Sequence, residues 1–220
     1  MRAVVFDVGE TLINETTEYN AWADWLGVPH HTFSTMFGAV IARGEDYRQV
    51  FQAFSPGFDL TTERQKRADA GVPEYIDAND LYPDARACLA ALKDEGYLVG
   101  IAGNQTTRAG VLLRALNLPA DFIATSDDWH AEKPNPEFFK SLIAECALPP
   151  AQIVYVGDRL DNDIQPALRA GLVAAFIRRG PWGYQHQHDP NISHAHIHLT
   201  GLHELPAALV AYNNHETGKA

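Results

Sequence analysis

The sequence predicts an α/β fold, a parallel sheet with helices on its faces and a helical insert behind the first strand. Three observations predict it. From Tyr82 onward, short apolar runs alternate with helix-like segments, the βαβ rhythm that places strands side by side in parallel and helices over them. The chain opens on an apolar run that stops at Asp7, within "FDVGETL" from Phe6 to Leu12, as a buried strand delivering a carboxylate to a turn would. Between them, Glu15 to Asp80 breaks the rhythm: Trp22, Trp25, Leu26, Phe33, Met36, Phe37, Val40 and Ile41 fall at helix-like intervals with no evident strand.

Taken in order, the opening run is the first strand and 15–80 the helical insert. "PDARACLAALKDEG", Pro83 to Gly96, is a helix bounded by proline and glycine, and "YLVGIA", Tyr97 to Ala102, the next strand. "TTRAGVLLRALN" is a helix, "DFIAT" a strand ending at Thr125, and "NPEFFKSLIAECA" a helix entered through Asn135 and Pro136. "IVYVG", Ile153 to Gly157, is a strand, "DNDIQPALRAG" a helix, and "VAAFI", Val173 to Ile177, a strand. Pro or Asn near the starts and Gly or Asn near the ends are the ordinary boundary signals. The expected domains are therefore 1–14 with 81–220, the α/β core, and 15–80, the insert.

The composition bounds the function. With 220 residues, 46% hydrophobic and 20% charged, the chain can bury a sizeable core. A formal charge of −11 argues against a general nucleic-acid or anionic-membrane surface, which needs clustered Lys and Arg. Small phosphorylated substrates remain compatible with locally concentrated positive charge. Cys88 and Cys146 lie far apart in helix-like stretches and read as two buried thiols rather than a disulfide framework. No charged leader with an apolar core precedes the first strand, and no window approaches the roughly 20 apolar residues of a membrane span. The cytoplasm is the expected location; the oligomeric state is not legible.

In an open parallel sheet, ligands bind outside the carboxyl ends of the strands. Asp7, Asn104, Ser126 and Asp158 each follow a predicted strand and so point to one crevice. The strongest signal is "VYVGDRLDNDIQPALRAGL", Val154 to Leu172, where Asp158 follows Gly157 and Asp161 and Asp163 arrive as a helix begins. Magnesium takes hard oxygen ligands, usually one or two carboxylates with water and substrate phosphate completing the shell. Helix capping accounts for one of these acids, at Asp161 or through Asn162, but not for all three.

These residues resemble the haloacid dehalogenase-like hydrolase superfamily, and the resemblance covers nearly the whole chain. The first motif of that family, Asp-x-Asp-x-Thr after a strand, is similar to Asp7 to Thr11; its basic motif is similar to Lys133 in "EKPNPEFF"; its acidic motif is similar to Asp158 and Asp163. The resemblance implies a doubly wound α/β core, a helical cap inserted at 15–80, magnesium, and an Asp that attacks phosphorus to form an aspartyl-phosphate. Carried over residue by residue, it implies Asp7 as nucleophile, Lys133 as the neutralising cation, Gly103, Asn104 and Lys133 around the phosphate, and Asp7, Gly9, Asp158 and Asp163 at the metal. A carboxylate is repelled by a phosphate dianion, so attack needs a metal and a cation on the phosphoryl oxygens whatever the family's name.

Two departures stand out. Where the family's phosphatases carry a second Asp as general acid and base, this chain has Gly9; a glycine still offers the main-chain carbonyl that the family uses on the metal. Glu10 could reach back as a substitute acid, but adjacent residues leaving a strand point in different directions. Where the second motif has Ser or Thr, this chain has Gly103. Backbone N–H groups of that turn could still cradle an anion, and Thr106 or Thr107 could lend a hydroxyl, although Thr106 reads first as a helix cap. The expected function is a magnesium-dependent hydrolase of small phosphorylated metabolites. A retired enzyme that binds a phosphorylated ligand or partner is the alternative. A dehalogenase-like hydrolase is the weaker third reading, since the Gly157-Asp158-x-x-x-x-Asp163 pattern, which dehalogenases lack, is intact.

Three further features have two readings each. His186, His188, His194, His196 and His198 invite a transition-metal site, but His196 and His198 alternating with Ile197 also suit a half-exposed edge strand. "RRGPWGY", Arg178 to Tyr184, is either positive charge near the crevice or a surface loop. Trp22, Trp25, Phe33 and Phe37 either pack the insert's helices or line a pocket.

Overall fold

The computed structural model describes residues 1–217 and divides into two compact units, Glu15–Asp80 and the remainder of the chain. The first strand, β1 (Ala3–Phe6), is four residues long and buried throughout. The unit at Glu15–Asp80 is helical, with α1 (Thr16–Leu26), α2 (His30–Ala42), α3 (Gln49–Phe54) and α4 (Leu60–Asp69). Its aromatic residues pack one another: Trp22 sits edge-on to Phe51 and Phe58 at 5.4 and 5.7 Å, and Phe51 stacks on Phe58 at 4.7 Å. Trp22, Phe33 and Phe37 are buried within this cluster, so the packing reading holds for them. Arg67 is buried as well, with its guanidinium 4.2 Å over the Trp22 ring and 2.8 Å from Glu18.

The other unit alternates strand and helix. It runs through α5 (Ala85–Asp94), β2 (Leu98–Gly103), α6 (Thr107–Ala115), β3 (Phe122–Thr125), α7 (Ser126–Trp129), α8 (Pro136–Cys146) and β4 (Ile153–Gly157). A π-helical turn, Leu160–Ile164, leads into α9 (Gln165–Arg169), followed by β5 (Val173–Ile177), α10 (Gly180–His186), β6 (Ile197–Leu199) and α11 (Leu205–Thr217). All strands pair in parallel in the order β3-β2-β1-β4-β5-β6. On one face Phe138, Phe139, Leu142 and Ala167 of α8 and α9 pack with Val5, Tyr155 and Ala174. Another helix, α5, packs on β2 and against α11. The result is a doubly wound α/β sheet. The edge strand β6 alternates as its sequence suggests, with Ile197 and Leu199 buried and His198 exposed. Cys88 and Cys146 are free and buried. Among the described residues no helix is long and apolar enough to cross a membrane.

This strand order locates the site. The chain fills the sheet on one side of β1 with β2 and β3, then crosses to the other side with β4, so the strand order reverses between β1 and β4. A crevice opens outside the carboxyl ends of strands at such a point. Phe6 is level with Val156, which puts the residues leaving β1 and β4, Asp7 and Asp158, beside each other.

Candidate active site

Four charged side chains converge outside β1 and β4. Asp7, Asp158, Asp163 and Lys133 are all nine-tenths buried or more. The Lys133 ammonium lies 2.6 Å from Asp7 Oδ1 and 2.6 Å from Asp163 Oδ1, and the Tyr155 and Phe138 rings flank it at 5.4 and 5.8 Å. Burial by itself would lower its pKa; the carboxylates of Asp163 and Asp7 more than offset that and hold it well above the ordinary lysine value.

The sequence explains how Asp163 reaches back. After Asp158 the π-helical turn closes on Arg159, whose carbonyl accepts from Asp163 N and Ile164 N at 3.0 and 3.1 Å. Arg159 N in turn donates to Asp163 Oδ2 at 2.9 Å. A Cβ on Gly157 would stand 2.5 Å from the Asp163 carboxyl carbon, so the glycine before Asp158 is what admits the second acid. Such π turns recur at functional sites. Asp161, the third acid of the run, turns aside and pairs with Arg159 at 2.7 Å.

Oxygen atoms of Asp7, Asp158 and Asp163 lie within 4.8 Å of one another, forming a group able to hold a metal ion. Asp158 Oδ2 is buried and accepts no hydrogen bond, an arrangement costly for a carboxylate unless a cation answers it. Burial first, then the Asp163, Asp7 and Glu10 carboxylates, push the Asp158 pKa far up, against the pull of Arg159. Burial and Asp7 likewise raise that of Asp163, against Lys133. Hard oxygen donors clustered with excess negative charge fit magnesium.

The two glycine departures look different in three dimensions. A Cβ on Gly103 would fall 2.6 Å from Asp7 Oδ1, so the carboxylate occupies the space a side chain at 103 would need. Asn104, expected on the phosphate, has its carboxamide committed elsewhere: Oδ1 accepts from Lys133 N at 2.7 Å and Nδ2 donates to Lys133 O at 2.8 Å. It anchors the backbone that carries the ammonium. The neighbouring threonines are engaged within the protein. Thr106 Oγ1 caps α6 by accepting from Ala109 N at 3.0 Å. Thr107 donates its N–H and hydroxyl to Asp127 Oδ2 at 2.8 and 3.1 Å. The α6 N-terminus is thus already met by a carboxylate. Ser126, which follows β3, donates to the Gln105 carbonyl.

Glu10 is buried within the turn and held by the protein. It takes a left-handed φ of 53° and is only 6% exposed. The Tyr82 hydroxyl donates to its Oε2 at 2.5 Å. Arg179, from "RRGPWGY", lies over the Tyr82 ring at 4.1 Å and binds the Thr11 carbonyl at 2.9 Å. It is neither loose positive charge nor part of a plain surface loop. The sequence carries no local signal for this cluster, because its members are far apart along the chain. The histidine tract does not form one site: His186 Nδ1 accepts from Leu160 N and His196 Nδ1 from Ala174 N. Among the described residues, the metal-capable group is the aspartate trio alone.

Comparison with known proteins shows the family and the fold. A model of the haloacid dehalogenase-like hydrolase family matches residues 1–171. A glyceraldehyde 3-phosphate phosphatase of Methanopyrus kandleri is 36% identical over 207 residues, covering 83% of this chain and 86% of that protein. A phosphoglycolate phosphatase of Mannheimia succiniciproducens is 33% identical over 194 residues, covering 81% and 86%. The crystal structure of a phosphatase of the same superfamily from Thermococcus onnurineus superposes with a TM-score of 0.60 at 23% identity, covering 95% of this chain and 98% of that one.

Proposed function

The chain belongs to the haloacid dehalogenase-like hydrolase family, and from this we infer that it is a magnesium-dependent phosphatase of small phosphorylated metabolites, of the size of glyceraldehyde 3-phosphate or phosphoglycolate. The observation that carries the reading is the Lys133 ammonium seated 2.6 Å from both Asp7 and Asp163, next to a buried Asp158 oxygen that accepts no hydrogen bond. The helical unit at Glu15–Asp80 is assigned as the family's cap.

In this reading Asp7 attacks phosphorus as its bond to the leaving oxygen breaks, and the resulting aspartyl-phosphate is then hydrolysed by water. Lys133 neutralises the phosphoryl oxygens, Asp163 keeps its ammonium in place, and Asn104 fixes the main chain beneath it. Asp7, Asp158, Asp163 and the Gly9 carbonyl are the groups that would hold magnesium. When bound, the ion supplies charge neutralisation and in-line orientation of the phosphoryl group. At Gly9 the chain offers no carboxyl to protonate the leaving oxygen, so that oxygen departs as an anion.

The test is a panel of phosphate esters assayed with and without Mg²⁺, beside Asp7→Asn. Turnover that requires both the metal and Asp7 is expected. Turnover that survives Asp7→Asn would overturn the assignment, and Mg²⁺ binding without any turnover would favour a retired, ligand-binding protein.

A further inference from the structure

The turn after Asp7 is held from outside by groups with no part in the chemistry above. Its own hydrogen bonds are tight: Leu12 N and Ile13 N both donate to Val8 O at 2.9 Å, and Glu10 N donates to Ile13 O at 2.7 Å. It nonetheless contains the left-handed Glu10, a conformation that costs roughly 1–2 kcal/mol for a residue with a side chain and persists only where its surroundings over-determine it. Tyr82 and Arg179 provide that surrounding. Tyr82 N donates to Leu12 O at 2.9 Å, the Tyr82 hydroxyl to Glu10 Oε2 at 2.5 Å, and Arg179 Nη1 to Thr11 O at 2.9 Å. Three successive residues of the turn are therefore gripped by one stacked pair, with the guanidinium carbon 4.1 Å over the ring.

The grip is itself anchored. Arg179 Nη2 donates to Asp84 Oδ2 at 2.5 Å, and the same oxygen accepts from Leu202 N at 2.8 Å. The Arg179 side chain is 10% exposed and that of Asp84 20%, so the pair is screened far less than a surface ion pair. The fork geometry matters, because one guanidinium reaches a main-chain carbonyl and a carboxylate while its face rests on an aromatic ring; a lysine ammonium cannot do all three.

We propose that Arg179 is a positioning residue for the hydrolytic reaction: acting through Thr11 and through Tyr82 on Glu10, it fixes the turn that carries Asp7 and the Gly9 carbonyl. The inference rests on the assignment of Asp7 as nucleophile. It gives "RRGPWGY" a role distinct from phosphate binding, since the guanidinium is engaged with the protein on two edges and one face.

The experiment compares wild type with Arg179→Lys, Arg179→Ala and Tyr82→Phe, measuring kcat, KM, Tm and the Mg²⁺ dissociation constant by calorimetry. Groups that orient reacting or ligating groups typically contribute about 10- to 100-fold to activity or metal affinity, so Arg179→Lys is expected to lose kcat in that range with KM within about threefold and to bind Mg²⁺ more weakly, with Tm close to wild type. Tyr82→Phe, which removes one hydroxyl, should lose less in the same direction. Added guanidinium ion should restore part of the kcat of Arg179→Ala and none of that of Lys133→Ala. The proposal falls if Arg179→Lys keeps kcat and Mg²⁺ affinity within about twofold of wild type, or if its loss merely follows a fall in Tm and no rescue occurs. A wild type that neither binds Mg²⁺ nor hydrolyses phosphate esters would instead overturn the reading of the site, and the positioning role with it.

Discussion

Replacing Gly180 by alanine is expected to destabilise the α/β unit by about 2–5 kcal/mol, through two separable effects. Gly180 has a φ of 61°, and a residue with a Cβ incurs roughly 1–2 kcal/mol in that region. The new Cβ would also lie 2.4 Å from Glu10 Cγ and 2.5 Å from Glu10 Cβ. Glu10 cannot swing clear, because its carboxylate is bonded to Tyr82 at 2.5 Å and its Cβ rides on a backbone fixed at a φ of 53°. Overpacking of this kind costs roughly 1–3 kcal/mol. Gly96 isolates the first effect: it lies in the same unit, has a φ of 83° and would place its Cβ in open space. Gly96→Ala should therefore cost only about 1–2 kcal/mol. Urea unfolding followed by far-ultraviolet circular dichroism gives the midpoint and slope for each variant. Glu10→Gly completes the cycle, since in that background Gly180→Ala should cost no more than Gly96→Ala, a coupling of about 1–3 kcal/mol. Equal costs for the two alanine variants in the wild-type background, or a cycle without coupling, would refute the interlock of Glu10 with Gly180.

Three other outcomes follow from the site. General acid help contributes roughly 10²- to 10⁴-fold where the leaving group is poor, so the enzyme should favour aryl or acyl phosphates over alkyl phosphates in kcat/KM, and Gly9→Asp should gain more on alkyl substrates; indifference to the leaving group would place the proton donor elsewhere. Asn104→Asp keeps the acceptor for Lys133 N but sets a carboxylate against Lys133 O in place of the donor at 2.8 Å; kcat is expected to fall about 10-fold or more with KM little changed, whereas a pure rise in KM would return Asn104 to the phosphate. Burial and neighbouring carboxylates raise the folded-state pKa values of Asp158 and Asp163, so their contribution to stability is complete below the ordinary Asp value of about 3.9 and is lost as pH rises through the raised values. Magnesium binds the ionised carboxylates, and the Tm increment it produces should accordingly be larger near about pH 8 than near about pH 5; a constant increment would count against these acids as ligands.

The parts legible in the sequence were those in which chemistry and local pattern coincide. Strands buried on both faces read as continuous apolar runs, and the polar residue that ends each run marks the carboxyl edge of the sheet; Asp7 and Asp158 were visible for that reason. Gly157 is legible as the end of a strand and as part of the acidic pattern, whereas its reason, room for the Asp163 carboxyl, belongs to the three-dimensional structure. Thr106 is legible as a cap because capping is a local relation. The engagement of the Asn104 carboxamide with the Lys133 main chain is not legible, because a carboxamide offers the same donor and acceptor to a phosphate as to a main chain. Its partner Lys133 lies 29 residues away in a segment whose approach no periodicity announces. Tyr82 and Arg179 lie 72 and 168 residues from the groups they bind, beyond the reach of any spacing rule.

Glu10 shows why the turn must be read in three dimensions. As a sequence, a carboxyl one place beyond the missing acid at Gly9 invites the idea of a displaced catalyst. In the structure its geometry is that of a strut: the backbone is left-handed, the side chain is 6% exposed, one oxygen accepts a 2.5 Å bond from Tyr82, and Gly180 closes over its Cβ and Cγ. A general acid must reach the leaving oxygen within about 2.6–3.2 Å, directly or through one water, which suits a carboxyl open to the crevice rather than one enclosed by its own fold. The turn thus has no carboxyl at Gly9, while Tyr82 and Arg179 hold Glu10 and Thr11 beside Asp7. If Asp7 is the nucleophile, as proposed, a rigid nucleophile without an acid would discriminate by leaving-group basicity, and that selectivity and the proposed bracing by Tyr82 and Arg179 would trace back to the same turn.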